Sequence, residues 1–302
     1  MKRAAATGAL LVVLAGCGGH SSPKATTTAT TTTAKTSLPT LSFAYPKSAP
    51  LSYKDLGVTL RRGPVTVHDV SFQSGGQTVD AYLVEGPAKG KHPAVVLIHG
   101  AGGDRTQLVG DAVALARRGI VAMTITEPST AHPPPQPTSN TELISESRQV
   151  TVADVVAVRR AADALSALGN VDPQRLGYLG WSNGAKIGTY VAAKDPRFKA
   201  LALLSGGADT LAAFVKAAPA SLRPLVKTQL GLVDPLRYIA AAPAGRLLLE
   251  DGRRDGVVPK SALLNMIHAA PAGTLVHWYP AGHELNAAAY NAAFAWLAKK
   301  LG

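Results

Sequence analysis

The chain has 302 residues, of which 46% are hydrophobic and 17% charged, with a formal net charge of +12. That length and composition exclude a wholly disordered or collagen-like chain and leave room for a sizeable core. The cations are scattered without interleaved aromatics, so no nucleic-acid partner is expected, and the single cysteine excludes disulfides within the chain.

The front of the chain reads as an address. Lys2 and Arg3 precede Ala4 to Ala15, a small-residue apolar stretch too short to cross a bilayer as a helix. Leu14-Ala15-Gly16-Cys17 resembles a bacterial lipoprotein signal. The resemblance implies a signal peptide over 1–16, lipidation of Cys17, and a membrane anchor on the extracytoplasmic face. The alternative is a cysteine inside an ordinary cleaved signal. Two acyl chains on Cys17 make a stable anchor, because one chain alone holds only marginally. Residues 17–57 read as a disordered tether. The tract Thr26 to Thr33 is of low complexity, and Pro23, Pro39, Pro46 and Pro50 are scattered around it. Such a segment has too little apolar surface to offset the entropy of ordering it.

Residues 58–302 read as one α/β domain. Pro64 to Phe72 and Gln77 to Val84 alternate in the β manner around Gly75-Gly76, as an opening hairpin. Pro93 to Ile98 is a continuous apolar run, as in a central strand covered on both faces. Asp104 to Arg118 carries a helical stripe of Leu108, Ala112, Leu115 and Ala116, and Gly119 to Ile125 is the next strand. Glu127 to Glu146 is a proline-stiffened loop, followed by a helix over Gln149 to Leu168. Leu176 to Leu179, Lys199 to Leu204, Arg246 to Leu249 and Thr274 to Tyr279 supply further strands. Helices are expected over Ala185 to Ala193, Ser261 to Ala269 and Leu285 to Leu301, with a cap-like excursion over 207–243. This alternation predicts a mostly parallel sheet with helices on both faces, and sites at the strands' C-terminal ends.

Gly180-Trp181-Ser182-Asn183-Gly184 follows one of those strands and precedes a helix. Strand, G-x-S-x-G, helix is the context of a nucleophile elbow. The turn is tight enough to strain the serine backbone, and it lifts the Ser182 hydroxyl to a helix N-terminus, where developing negative charge is favoured. The alternative is a serine in an ordinary strand-to-helix turn.

The rest of the chain supplies context. His99-Gly100-Ala101-Gly102-Gly103, Val171 to Gly177, the elbow, Gly252-Arg253-Arg254-Asp255 and Gly282-His283 together resemble the α/β-hydrolase fold. The similarity covers residues from about 58 to the end. It is greatest to the dienelactone-hydrolase and prolyl-oligopeptidase-like esterase branch, although dienelactone hydrolase itself uses Cys where this chain has Ser182. The resemblance implies a Ser-His-Asp triad. Among eight histidines, only His283 lies in the loop after the last strand, where the fold puts its base. Asp255 fits the acid position, with Asp251 one short turn away and Glu250 a weaker candidate. The oxyanion donors implied are the N–H groups of Ala101 and Asn183, with Gly102 as a substitute. His99 reads as structural, pinning its loop by hydrogen bonding.

The expected chemistry is hydrolysis of a carboxylic ester through an acyl-enzyme. The substrate is a small-molecule or lipid ester, and activity rises with pH as the base becomes neutral. A peptidase, a thioesterase, or a surface lipoprotein using the scaffold only to bind are the alternatives. Leu211, Phe214, Leu225, Leu230 and Leu232 of the excursion are candidates for an acyl pocket or for packing within the excursion. No dinucleotide signature, phosphate loop or ligand-spaced His and carboxylate cluster is present, so neither cofactor nor metal is expected.

Overall fold

The computed structural model describes residues 41–302. Cys17, the segment 1–16 and the threonine tract lie outside the described residues.

The tether expected over 17–57 ends earlier than its composition suggests. Leu41 and Phe43 are buried. The Phe43 ring lies 5.8 Å from Tyr190 and 5.7 Å from Tyr238. Arg160 holds the backbone that follows, donating from Nη2 to the carbonyls of Ala49 and Pro50. Aromatic burial and charge-assisted hydrogen bonds together offset the ordering entropy that low local hydrophobicity leaves uncovered. The domain boundary therefore falls no later than residue 41, not at 58.

Among the described residues, nine strands form one sheet in the order β1-β2-β3-β5-β4-β6-β7-β8-β9. The first three are Lys54–Arg62 (β1), Val65–Ser74 (β2) and Gln77–Glu85 (β3). They run antiparallel, and β3 pairs antiparallel with β5, Val121–Ile125. The expected hairpin is β2–β3. Strand β1 was hidden because it is exposed along nearly its whole length and shows no buried face.

The remaining strands are parallel: His92–Ile98 (β4), Val171–Trp181 (β6), Phe198–Leu204 (β7), Leu247–Gly252 (β8) and Leu275–Tyr279 (β9). Strand β4 lies between β5 and β6. Its residues Ala94 to Ile98 are all buried, which is why its sequence is a continuous apolar run. Burying each large aliphatic side chain there contributes about 1.5–3 kcal/mol.

Helices cover both faces. Val109–Ala116 (α1) and Ala287–Leu301 (α9) pack on one, sharing a cluster with Leu97, Leu179 and Leu204. Asn140–Ala167 (α3), Asn183–Lys194 (α4), Pro235–Ala240 (α7) and Lys260–Ala269 (α8) pack on the other with Val96, Ile98 and Tyr178. The result is the two-faced, mostly parallel sheet of an α/β-hydrolase fold.

Several boundaries differ from the sequence reading. Helix α1 starts at Val109 rather than Asp104, because Asp104 turns back on itself and accepts from the Thr106 N–H at 2.7 Å. The proline-rich segment contains a short helix, Pro128–Ala131 (α2). Helix α3 begins at Asn140, nine residues before the expected start at Gln149. There Ser139 accepts from the Glu142 N–H, and the Glu142 carboxylate accepts from Thr138, a reciprocal cap that local polarity concealed. The excursion after β7 forms Leu211–Ala217 (α5), a turn of 3-10 helix at 220–222, Arg223–Leu232 (α6) and then α7.

Candidate active site

The site sits at the C-terminal ends of β4, β6, β7 and β8. Strand β6 ends at Trp181 and α4 starts at Asn183, so the chain reverses at a single residue. Ser182 has φ 56° and ψ −111°, a left-handed conformation that a side-chain-bearing residue adopts only at a cost of about 1–3 kcal/mol. The surrounding backbone holds it there. The Ser182 N–H donates to the Leu204 carbonyl at 2.8 Å, and the Gly184 N–H donates to the His99 carbonyl at 3.1 Å. A side chain at position 184 would collide with the Ile98 carbonyl, which explains the glycine.

His283 Nε2 lies 2.9 Å from Ser182 Oγ. Its Nδ1 lies 2.8 Å from Asp255 Oδ2. The other carboxyl oxygen of Asp255 accepts the backbone N–H groups of Val257 and Val258, at 2.8 and 2.9 Å. Asp255 is thus held by the turn after β8, and its side chain is almost fully buried, 1% exposed beside 11% for His283. The two loops that carry them clasp each other, since Arg254 N–H donates to the Ala281 carbonyl and Arg253 N–H to that of Tyr279. His283 is gripped from below as well. Its own carbonyl accepts from Ser205 Oγ at 2.7 Å and from Trp181 Nε1 at 3.0 Å.

Asp251 and Glu250, the other carboxylate candidates, sit lower on β8. Both are buried. Burial, with Asp255 and Glu250 as neighbours, pushes Asp251 up to about 7. Burial also pushes Glu250 up to about 7, against hydrogen bonding from His277 and Tyr279. Among the described residues, the carboxylate on His283 Nδ1 is Asp255 and not Asp251.

The loop after β4 abuts the elbow. A Cβ at Gly100 would meet the Trp181 ring at 2.6 Å and Ser182 Cβ at 3.4 Å. Only glycine lets this turn approach the serine so closely. Among the described residues, neither the Ala101 nor the Asn183 N–H has an acceptor. One follows that close approach, and the other opens helix α4, where N–H groups are free by geometry.

Pro128, Tyr45, Arg148, Val152 and Leu232 line a cavity of about 940 Å³ between the 41–46 segment, α3 and α6. Ser182, Asp255 and His283 are not among its lining residues. Leu230 and Leu232 pack against the core, whereas Leu211 borders a shallow groove with Ala212 and Val215. Among the described residues, no group of three or more His, Cys, Asp and Glu side chains is placed to hold a metal.

Sequence reasoning missed Ser205 and Trp181 as supports of His283, and Glu127 as a buried neighbour of His99. The available signal was position. Ser205 follows β7 and Glu127 closely follows β5, both at C-terminal strand ends.

Comparison with known proteins agrees with this architecture. The family model described as "Dienelactone hydrolase family" matches residues 79–295. A polyketide transferase of Stachybotrys chlorohalonatus is 26% identical over 232 residues, 72% of this chain and 74% of its own. Two solved structures share the fold. Acetyl xylan esterase 1 of Thermoanaerobacterium sp. JW/SL YS485 gives a TM-score of 0.69 at 16% identity, covering 84% of this chain and 89% of that one. An acetyl xylan esterase of Paenibacillus sp. R4 gives 0.70 at 17% identity, covering 83% and 90%.

Proposed function

The chain belongs to the dienelactone hydrolase family and is a carboxylesterase-like hydrolase; from that premise we propose that it is a serine hydrolase working through an acyl-enzyme. Ser182 is the nucleophile, His283 the base and Asp255 the group that orients it. The observation that supports this reading most directly is the unbroken run Ser182 Oγ, His283 Nε2, His283 Nδ1, Asp255 Oδ2, each contact within 2.9 Å.

A serine hydroxyl is a poor nucleophile until a base takes its proton. Asp255 accepts the Nδ1–H of His283, which leaves Nε2 as the lone-pair nitrogen facing Ser182. As Oγ attacks the ester carbonyl, its proton passes to Nε2. The carbonyl oxygen becomes an oxyanion, and the free N–H groups of Ala101 and Asn183 donate hydrogen bonds to it. Each such donor contributes about 3–4 kcal/mol to the transition state. The intermediate collapses, Nε2–H protonates the leaving alcohol, and water repeats the sequence to release the acid.

The test is labelling by a fluorophosphonate probe, beside Ser182→Ala, followed by acyl esters of increasing chain length. Labelling of the wild type alone, with kcat lowered about a millionfold in the variant, is the expected result. An unlabelled but folded wild type would favour a binding role for the scaffold. Parallel thioester and peptide substrates separate the ester reading from the thioesterase and peptidase readings. A second reading, transfer of the acyl group to an alcohol, is suggested by the polyketide transferase relative. Product analysis with added alcohol distinguishes it from hydrolysis. We further propose lipid attachment at Cys17; labelled fatty acid should enter the wild type and not Cys17→Ser.

A further inference from the structure

A second carboxyl–imidazole pair lies on the other side of the serine. His99 follows β4 and Glu127 closely follows the adjacent β5. Both side chains are only 1% exposed, and His99 Nε2 lies 3.5 Å from Glu127 Oε2. Neither Glu127 oxygen has a hydrogen-bond partner among the described residues, and neither does His99 Nε2. Buried polar atoms are rarely left in this state, because each costs about 1–3 kcal/mol.

The other nitrogen settles where the protons are. His99 Nδ1 lies 2.7 Å from the Gly100 carbonyl. A carbonyl oxygen can only accept, so Nδ1 carries the hydrogen. In the neutral ring, Nε2 is then a bare lone pair that needs a donor. The oxygen facing it belongs to a carboxyl group, which donates only when protonated.

We infer that Glu127, in its protonated form, is a positioning residue: it donates to His99 Nε2 and so fixes the turn that presents the Ala101 N–H. The inference rests on the serine-hydrolase reading for its catalytic consequence, not for its geometry. His99 is the joint between two structures. Its ring holds the Gly100 carbonyl, one residue before Ala101, and its own carbonyl holds the Gly184 N–H in the elbow. The present separation exceeds the normal span by a few tenths of an ångström, a small closing movement.

The neighbours favour a neutral pair. Burial raises Glu127 well above the ordinary carboxylate range, Asp154 on α3 adds to the rise, and Lys186 on α4 opposes it. Burial lowers His99, against the Gly100 hydrogen bond and Asp104. Tyr178 on β6 also faces the cluster, and burial and the Glu127 charge both resist its ionisation. Asp154 takes the cluster's negative charge more readily, since Ser129 donates to it from both N–H and hydroxyl. Once Asp154 is charged, a second charge on Glu127 is disfavoured. Deprotonation at alkaline pH would turn a bare carboxylate toward a bare nitrogen and release the turn.

The experiment uses the full chain with ¹⁵N-labelled histidine and reads the ring nitrogens of His99 across pH 6–10, beside ester kinetics. The wild type should show the Nδ1–H tautomer with Nε2 hydrogen-bonded, and kcat should decline at alkaline pH. Glu127→Gln keeps a donor that cannot titrate. It should hold kcat within about threefold at pH 7 and abolish the alkaline decline. Glu127→Leu should lower kcat about ten- to a hundredfold with KM little changed, less than loss of an oxyanion donor itself. Its 100–103 amides should exchange faster while the rest of the sheet stays protected. An imidazolium or Nε2–H His99 in the wild type would overturn the inference. So would Glu127→Gln with an unaltered alkaline decline, or a folded Glu127→Leu with wild-type kcat. A wild type without ester hydrolysis would instead remove the serine-hydrolase reading, and the ¹⁵N result would still decide the role of Glu127.

Discussion

Two carboxyl–imidazole pairs flank Ser182, and they differ in what surrounds the carboxyl group. Asp255 accepts two backbone N–H groups and the imidazole N–H. Among the described residues, Glu127 accepts none of these, and neither of its oxygens has a hydrogen-bond partner. The two are equally buried, each with a side chain 1% exposed. Burial alone therefore does not set the role of a buried acid; the supply of donors does. With donors, the carboxyl group is an acceptor, and in the proposed mechanism it orients the base. Without them, in the inference drawn above, it keeps its proton and becomes a donor itself.

The sharpest way to break this contrast is at Asp255. Asp255→Asn replaces an acceptor by a group that can present N–H to Nδ1, which forces the wrong tautomer. Measured kcat should fall about ten-thousandfold without loss of fold. A drop comparable to the modest effect expected of Glu127→Gln would mean that the two pairs are not different in kind. A middle-sized effect is expected at Ser205. Its hydroxyl and the Trp181 indole share the His283 carbonyl, so Ser205→Ala leaves one support in place. Removing one such hydrogen bond costs about 1 kcal/mol, or roughly fivefold if it is felt wholly in kcat. An unchanged kcat would assign the work to Trp181.

The smallest effect concerns stability, and it extends the comparison to Asp251. This acid is buried and pushed up to about 7. It binds its proton more tightly in the folded state than in the unfolded chain. Folding stability therefore falls as pH rises from about 4 to about 7, and it stays lower above that. Asp251→Asn removes the loss. Thermal unfolding should show the variant ahead of wild type by a few degrees at pH 8 and without that advantage at pH 4. An equal difference at both pH values would mean that Asp251 ionises without penalty.

How much of this was legible beforehand depends on the range of the interactions involved. The elbow was legible because its causes are local. An apolar strand, a glycine two residues before the serine and another two after it specify the reversal, and the helix follows at once. The strand-end positions of Asp255 and His283 were legible through the order of strands, since Asp255 follows β8 and His283 follows β9. Position after the strand end favoured Asp255 over Asp251 but did not decide between them. The choice depends on which carboxyl group the turn at Val257 and Val258 holds toward His283, a distance across two separate loops.

By itself, then, the amino-acid order determined the alternation of strands and helices, the elbow and the strand-end addresses of its partners. These follow from side-chain periodicity and from backbone sterics, which act over a few residues. Tertiary structure alone decided the rest. Segment 41–53 looked like tether because its few apolar residues have no partners nearby in sequence; Phe43 finds Tyr190 and Tyr238 only once α4 and α7 are packed. Likewise Glu127 and His99 lie 28 positions apart, and they face each other because β4 and β5 are neighbours in the sheet. Burial, and the presence or absence of a donor, are properties of what the chain brings together. They are therefore decided by packing and not by spacing.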